Sequence, residues 1–221
     1  MKPLIGLLAN YEEGPNVWQV RQGVCAAYVD AIIAAGVREV FVATIDPSPN
    51  VNGRGIEQLR QAGIEVLTGL CEEQARLLNA SFIKFALTGR CWVVLKWAQS
   101  IDAKCARADS DRWLSNESSR KDAHILRRRS QAIVVGINTV LADNPLLTPR
   151  PARKGSQPLR VVLDTQLRIP LDCRLLQTVS KAPVLILTSG RSVEAKPQVA
   201  EQIAKKGAEL LVFPDMPGRS N

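Results

Sequence analysis

Histidine is almost absent from this 221-residue chain, and most histidine-based metal sites are excluded with it. His124 is the single histidine, so an H-E-x-x-H zinc motif cannot form. The five cysteines include no C-x-x-C pair, so a structural zinc site has no support either. We interpret the cysteines as reduced, mostly buried thiols. We interpret His124 as a surface residue of a helix, because nothing near it in the sequence would shift its pKa.

Aromatic residues and long apolar runs are also scarce. Only 5% of the residues are aromatic, and they do not alternate with basic residues as in nucleic-acid-binding modules. The uncharged run 131–142 has 12 residues, whereas a membrane-spanning helix needs about 20. The N-terminal stretch lacks the small-residue cleavage site of a signal peptide. We therefore expect a cytoplasmic protein with no membrane and no nucleic-acid partner.

Positive charge is abundant but unevenly distributed. The net charge is +8. Residues 1–80 carry 6 Lys/Arg and 9 Asp/Glu, a net of −3, whereas residues 81–221 carry 23 and 12, a net of +11. Such a change in net charge along the chain indicates two segments with different partners. Small phosphorylated ligands are the partners that we expect for the basic segment.

Hydrophobic patterning predicts an α/β chain with two domains, 1–86 and 87–221. In the first, two predicted helices end at Gly36 and Gly63, and an apolar strand follows each. One further helix is predicted from the run EEQARLLNASFIKF. In the second domain, Asn116 or Ser115 can cap a helix that continues to about Arg129. The predicted strands there are CWVVLKWAQS, AIVVG, PLRVVLDT, APVLILTSG and AELLVF.

Residues 29–214 resemble a known family, the bifunctional riboflavin-biosynthesis deaminase/reductases. The end of the deaminase domain is similar to DAIIAAGVREVFVATIDPSPNVNGRGIEQLRQAGIEVLTGL. The start of the reductase domain is similar to RCWVVLKWAQSIDAK, LRRRSQAIVVGINTVLADNPLLTPR and QPLRVVLDTQLRIP. The resemblance implies the C-terminal remnant of a cytidine-deaminase-like domain, followed by an incomplete dihydrofolate-reductase-like domain.

The same resemblance implies that deaminase activity is lost. A zinc deaminase needs a histidine and two cysteines on the metal, and a glutamate that moves protons. No histidine precedes His124, and Tyr28 stands where the family has its second zinc cysteine. Cys25 alone cannot hold a catalytic zinc. We expect no zinc in this chain.

For the second domain, the resemblance implies NADPH-dependent reduction of the ribosyl group of 5-amino-6-(5-phosphoribosylamino)uracil to a ribityl chain. It assigns no catalytic residue. The cofactor contacts that it implies are Ala98, Trp113, Thr139, Asp143 and Thr165. The substrate contacts that it implies are Asp111, Arg127, Leu147 and Arg150, and Lys96 inside the first predicted strand is a further candidate. Two arginines suit the substrate phosphate, because each forked guanidinium can bind it through two hydrogen bonds.

Two departures from the family pattern predict an impaired reductase. Asp111 stands where the family has a serine, and a carboxylate there would repel a phosphate. The family's late glycine-rich segment, with the glutamate that contacts substrate, is not found before Asn221. One alternative is a non-catalytic product of a truncated or decayed gene. A weaker one is a basic module that binds nucleic acid, and a homo-oligomer is left open.

Overall fold

The structure, a computed structural model, describes residues 22–49, 51–105, 114–152, 155 and 157–214, with the backbone alone for 22–27. Its contacts divide the chain into two compact units, 1–97 and 98–221. Each unit is described by itself below. The domain boundary between residues 86 and 87 stays a prediction.

The first unit alternates helices and strands, as the patterning predicts. Its elements are α1 (Gln22–Ala34), β1 (Glu39–Val42), α2 (Arg54–Gln61), β2 (Glu65–Thr68), α3 (Glu72–Leu78) and α4 (Ala80–Thr88). The two strands are parallel, with Glu39 opposite Glu65 and Val42 opposite Thr68. A small core forms between α1, α2 and β2 from Val29, Ile32, Leu59, Ile64 and Val66.

The single helix predicted after β2 is wrong, because two helices meet at Asn79. The backbone of Asn79 leaves the helical region, with φ −101° and ψ 15°. Its side-chain Nδ2 donates to the carbonyl oxygen of Ala75 at 2.9 Å. Asparagine competes in this way for backbone acceptors, which disfavours it inside a helix. Neither α3 nor α4 contains a buried residue.

The second unit is built on a parallel sheet whose strand order is β3-β4-β5-β6. Its elements are α5 (Glu117–Arg129), β3 (Ala132–Gly136), α6 (Ile137–Asp143), β4 (Leu159–Leu163), α7 (Arg174–Gln177), β5 (Val184–Ser189), α8 (Gly190–Ala195), α9 (Pro197–Lys205) and β6 (Glu209–Phe213). The predicted cap of α5 is confirmed, since Asn116 Oδ1 accepts from Ser119 N at 2.9 Å. A parallel sheet with crossover helices is the α/β class that the sequence predicts.

The two faces of this sheet differ in burial. On one face Val162 and Ile186 are fully buried and pack in a core with Leu175 of α7 and Ile203 of α9. On the other face Val134, Leu163 and Leu211 are each about half exposed or more, at 56%, 46% and 51%. Parallel sheets are normally covered on both faces. In the described residues, this second face remains a partly exposed apolar surface, on which Val161 is buried.

The strand predicted for CWVVLKWAQS is wrong. Residues 90–100 have no regular secondary structure, and Trp92, Leu95 and Trp97 are exposed. A strand forms only where a neighbour satisfies its N–H and C=O groups, and no described strand pairs with this segment. Its valines and tryptophans favour a strand only within a sheet, so their β-propensity is not decisive here.

No helix among the described residues is long and apolar enough to cross a membrane.

Candidate active site

The predicted cofactor residues Thr139 and Thr165 follow neighbouring strand ends. Gly136 at the end of β3 lies opposite Leu163 at the end of β4. Helix α6 starts directly after β3, and Thr165 follows β4 by two residues. Ligands of α/β proteins bind at the carboxyl ends of the strands. The structure therefore brings these two predicted residues to one edge of the sheet.

Hydrogen bonds fix the loop after β4 against the start of α6. Arg168 Nη2 donates to Asn138 Oδ1 at 2.9 Å. Asp164, which is fully buried, accepts through Oδ2 from the backbone N–H groups of Arg168 at 2.7 Å and Ile169 at 2.9 Å. Its Oδ1 is buried without a hydrogen-bond partner among the described residues. The loop is thus held rigidly at the sheet edge.

The hydroxyl groups at this edge are available to a ligand. The Thr165 carbonyl oxygen accepts from Ser189 Oγ at 2.9 Å and Ser192 Oγ at 2.8 Å, which ties β4 to the start of α8. The side-chain hydroxyls of Thr139 and Thr165 have no partner among the described residues, and both side chains are exposed. A hydroxyl can donate and accept. Each of the two hydroxyls can therefore form a hydrogen bond with a ligand at this edge.

Arg127 and Arg150 are two cations, and the charge of Arg150 acts on Arg127. Arg127 lies in the last turn of α5 and is partly buried, whereas Arg150 is exposed in the loop after α6. Burial, and next the charge of Arg150, lower the pKa of Arg127. No carboxylate of the described residues pairs with either guanidinium. Two such groups within electrostatic reach of each other are suited to an anion with several oxygens.

The structure corrects the sequence interpretation of His124. The ring is partly buried, and its Nδ1 has no hydrogen-bond partner among the described residues. Burial lowers the pKa of His124, and Arg127 and Arg150 lower it further. The expectation that nothing nearby shifts this pKa is therefore wrong. A spacing of three residues already places His124 and Arg127 on one face of α5, but the approach of Arg150 depends on tertiary structure.

A buried arginine that the sequence analysis did not single out supports the loop of Leu147 and Arg150. Arg160 in β4 is fully buried, and its Nη1 donates to the carbonyl oxygen of Leu146 at 3.2 Å. Burial lowers the pKa of Arg160 to about 10, which leaves the group charged at neutral pH. Leu147 has a positive φ of 56°, and its side chain is buried in the core. Its contact with substrate stays a prediction.

The remaining predicted residues lie in helix α6, in the irregular segment 90–100 or outside the described residues. Asp143 is the last residue of α6 and is exposed. Lys96 and Ala98 lie in the irregular segment 90–100. Asp111 and Trp113 lie outside the described residues. Within the described part of the chain, no group of three or more His, Cys, Asp or Glu residues is arranged to hold a metal ion.

Comparisons with known proteins agree with this architecture. The riboflavin biosynthesis protein RibD of Aquifex aeolicus is 44% identical over 185 residues, which are 83% of this chain and 50% of the relative. The RibD of Actinobacillus pleuropneumoniae is 41% identical over 184 residues, which are 83% of this chain and 48% of the relative. The chain thus spans about half the length of these curated relatives.

Solved structures lead to the same family. Acinetobacter baumannii RibD has a TM-score of 0.68 at 34% identity, over 85% of this chain and 51% of that one. A diaminohydroxyphosphoribosylaminopyrimidine deaminase/5-amino-6-(5-phosphoribosylamino)uracil reductase from Thermotoga maritima has a TM-score of 0.64 at 32% identity, over 84% and 56%. The predicted α/β fold class is confirmed by these neighbours. Residues 91–213 match the family model described as RibD C-terminal domain, and the chain therefore belongs to the RibD C-terminal domain family.

Proposed function

We propose that this chain is a reductase of riboflavin biosynthesis, which reduces the ribosyl group of 5-amino-6-(5-phosphoribosylamino)uracil to ribityl with NADPH. The observation that carries the proposal is the arginine pair Arg127 and Arg150, which lacks a carboxylate partner in the described residues of a RibD C-terminal domain. The related Thermotoga maritima protein is named a reductase of this phosphorylated substrate. Two guanidiniums that no described carboxylate neutralises suit its phosphate.

In this proposal the two arginines hold the substrate by its phosphate and so fix the sugar. Forked N–H donors of two guanidiniums restrict the rotation of the phosphate. Orienting the substrate against the cofactor is the main contribution that a protein makes to cofactor chemistry. Lys96, Asp111 and Leu147 are proposed as further substrate contacts.

The free hydroxyls of Thr139 and Thr165 are proposed to hold the carboxamide of the nicotinamide. NADPH, when bound, supplies the hydride. Ala98, Trp113 and Asp143 are proposed as further cofactor contacts.

We also propose that residues 1–86 are deaminase-like but hold no catalytic zinc by themselves, and that residues 87–221 form the reductase domain. The support is the sequence itself, which lacks the histidine and paired cysteines of a catalytic zinc site before His124. Elemental analysis of the purified chain is the check. We expect no stoichiometric zinc, and one zinc per chain would contradict this part of the proposal.

The experiment that tests reductase function follows the oxidation of NADPH by the purified chain after the phosphorylated aminouracil is added. The product is identified by its mass. We expect slow turnover that Arg127→Gln reduces further, whereas the exposed Arg129→Gln, in the same helical turn, leaves it unchanged. A folded chain that binds neither NADPH nor substrate would favour the alternative of a non-catalytic product.

That alternative, and the proposed impairment of the reductase, have one structural observation in their favour. Val134, Leu163 and Leu211 leave one face of the sheet exposed, and the segment 90–100 forms no strand. Hydride transfer is sensitive to small misplacements, of which about 1 Å can reduce the rate about 100-fold.

A further inference from the structure

We propose that His124 is a third, titratable member of the anion site formed with Arg127 and Arg150, and that it takes up a proton when a phosphate group binds there. The inference rests on the proposed function, because it assumes that the arginine pair receives the substrate phosphate. It adds a residue, and a proton, that neither the resemblance nor the relatives assign.

The placement of His124 is the first support. Helix α5 carries His124 and Arg127 three residues apart, which puts both side chains on one face. Arg150 lies in the loop after α6, and its charge acts on both residues. The only histidine of the chain therefore lies within the field of two guanidiniums.

The second support is a buried polar atom. Nδ1 of His124 is buried and has no hydrogen-bond partner among the described residues. An unpaired buried polar group is unfavourable, and native proteins contain few. Two guanidiniums without a carboxylate beside this ring add further electrostatic cost. A bound anion would offset the electrostatic cost of the two guanidiniums.

The surrounding charges determine the direction of the proton transfer. Burial is the largest cause that lowers the pKa of His124, and the charges of Arg127 on α5 and Arg150 in the loop after α6 lower it further. No described carboxylate is among the causes that shift it. Of the other charged groups of α5 on the preceding turn, Lys121 pairs with Glu117 at 3.0 Å, and Arg120 Nη1 donates to the Ser115 carbonyl oxygen at 2.6 Å. A phosphate dianion opposes the field of both arginines and attracts a positive imidazolium. Binding therefore favours the protonated ring, and the proton comes from solvent.

The experiment uses the fact that the chain has one histidine. Proton NMR follows the imidazole of His124 during pH titrations of the wild-type chain, with and without saturating ribose 5-phosphate. Ribose at the same concentration is the uncharged control. We expect a pKa below 6.5 in the free chain, a rise with ribose 5-phosphate, and no rise with ribose.

Variants test the three-residue site. In Arg127→Gln and in Arg150→Gln, we expect the pKa of His124 in the free chain to move upward and the response to ribose 5-phosphate to shrink or vanish. Arg129→Gln is a matched change in the same helix. In this variant we expect the pKa of His124 and its response to ribose 5-phosphate to stay as in the wild type. For His124→Gln, affinity for ribose 5-phosphate should be about tenfold weaker than wild type near pH 6, the loss expected for one charge-assisted hydrogen bond. Near pH 8.5 the two chains should bind equally.

The outcomes separate this inference from the proposed function. If ribose 5-phosphate binds in a manner that depends on Arg127 and Arg150 but leaves the His124 titration unchanged, the inference about His124 is overturned and the phosphate site stands. If the folded chain does not bind ribose 5-phosphate at all, the phosphate site is overturned and His124 with it. A His124→Gln chain that loses the same affinity at every pH would show a structural role instead of proton uptake.

Discussion

Arg160 Nη1 donates to the carbonyl oxygen of Leu146 at 3.2 Å, and this bond ties the buried strand β4 to the loop that carries Arg150. The same guanidinium donates to Thr178 Oγ1 at 2.8 Å, to the Thr178 carbonyl oxygen at 2.9 Å and to the carbonyl oxygen of Ala182. The two terminal nitrogens of this buried cation thus donate to neutral acceptors, whereas its Nε has no partner among the described residues. One side chain holds three chain segments. Arg160 is a positioning residue for the candidate anion site.

Arg160→Met should destabilise the second unit, because it leaves several buried carbonyl oxygens without their donor. The expected loss is about 2–4 kcal/mol in the free energy of unfolding, as for other broken buried networks. Urea denaturation monitored by circular dichroism measures it. Lys205→Met is the matched control, since Lys205 pairs with Glu201 at 2.7 Å on the surface, where ion pairs contribute about 0–1 kcal/mol. Equal stability of the two variants would contradict the role of Arg160.

The second prediction concerns affinity at the arginine pair. Arg150→Ala should weaken binding of ribose 5-phosphate by about 1.5–3 kcal/mol, the contribution of a hydrogen bond to a charged group. Because Arg150 is exposed, the free energy of unfolding should change little. Isothermal titration calorimetry measures the affinity, with Arg129→Ala as control. Unchanged affinity in Arg150→Ala would remove this residue from the site.

Local signals in the sequence were sufficient for most of the second unit. The asparagine cap of α5 and the apolar runs of β3, β4, β5 and β6 all lie within a few residues of the elements that they define. The strand predicted near Trp92 failed because a strand depends on a neighbour, which is not a local property. The break at Asn79 was missed because the helical pattern continues on both sides of it.

The candidate site shows the same division between local and non-local information. Arg127 and Arg150 came from the family resemblance, and the structure places both near His124, which the sequence analysis dismissed. The field at His124 depends on Arg150, 26 residues further along the chain by their numbers. Arg160 was not singled out because an arginine inside an apolar run gives no indication of the carbonyl oxygens that it will meet.

The third prediction is a loss of stability on acidification through His124. Burial, Arg127 and Arg150 hold the pKa of His124 in the folded chain below its ordinary value of 6.5. As the pH falls through 6.5, the unfolded chain therefore binds a proton before the folded chain does, and the free energy of unfolding decreases. The decrease ends once the pH is below the folded pKa.

Urea titrations between about pH 8 and pH 5 measure this dependence in the wild type and in His124→Gln. As the pH falls through this window, the free energy of unfolding of the wild type should decrease relative to that of His124→Gln. Arg129→Gln should follow the wild type in its pH dependence, because it removes no group that titrates there. Parallel curves for the wild type and His124→Gln would show that the folded and unfolded pKa values are equal.

The last prediction uses the two faces of the sheet. Val134 in β3 is 56% exposed and Val162 in the adjacent strand β4 is fully buried, on opposite faces. Val162→Thr places a hydroxyl in the core and should cost about 1–3 kcal/mol in the free energy of unfolding. Val134→Thr is the same chemical change on the exposed face and should alter that free energy by about 0.5 kcal/mol or less. Chemical denaturation at low protein concentration compares them.

If Val134→Thr were as costly as Val162→Thr, the second face would have to be covered in solution. A cost that grew with protein concentration would identify a second copy of the chain as the cover.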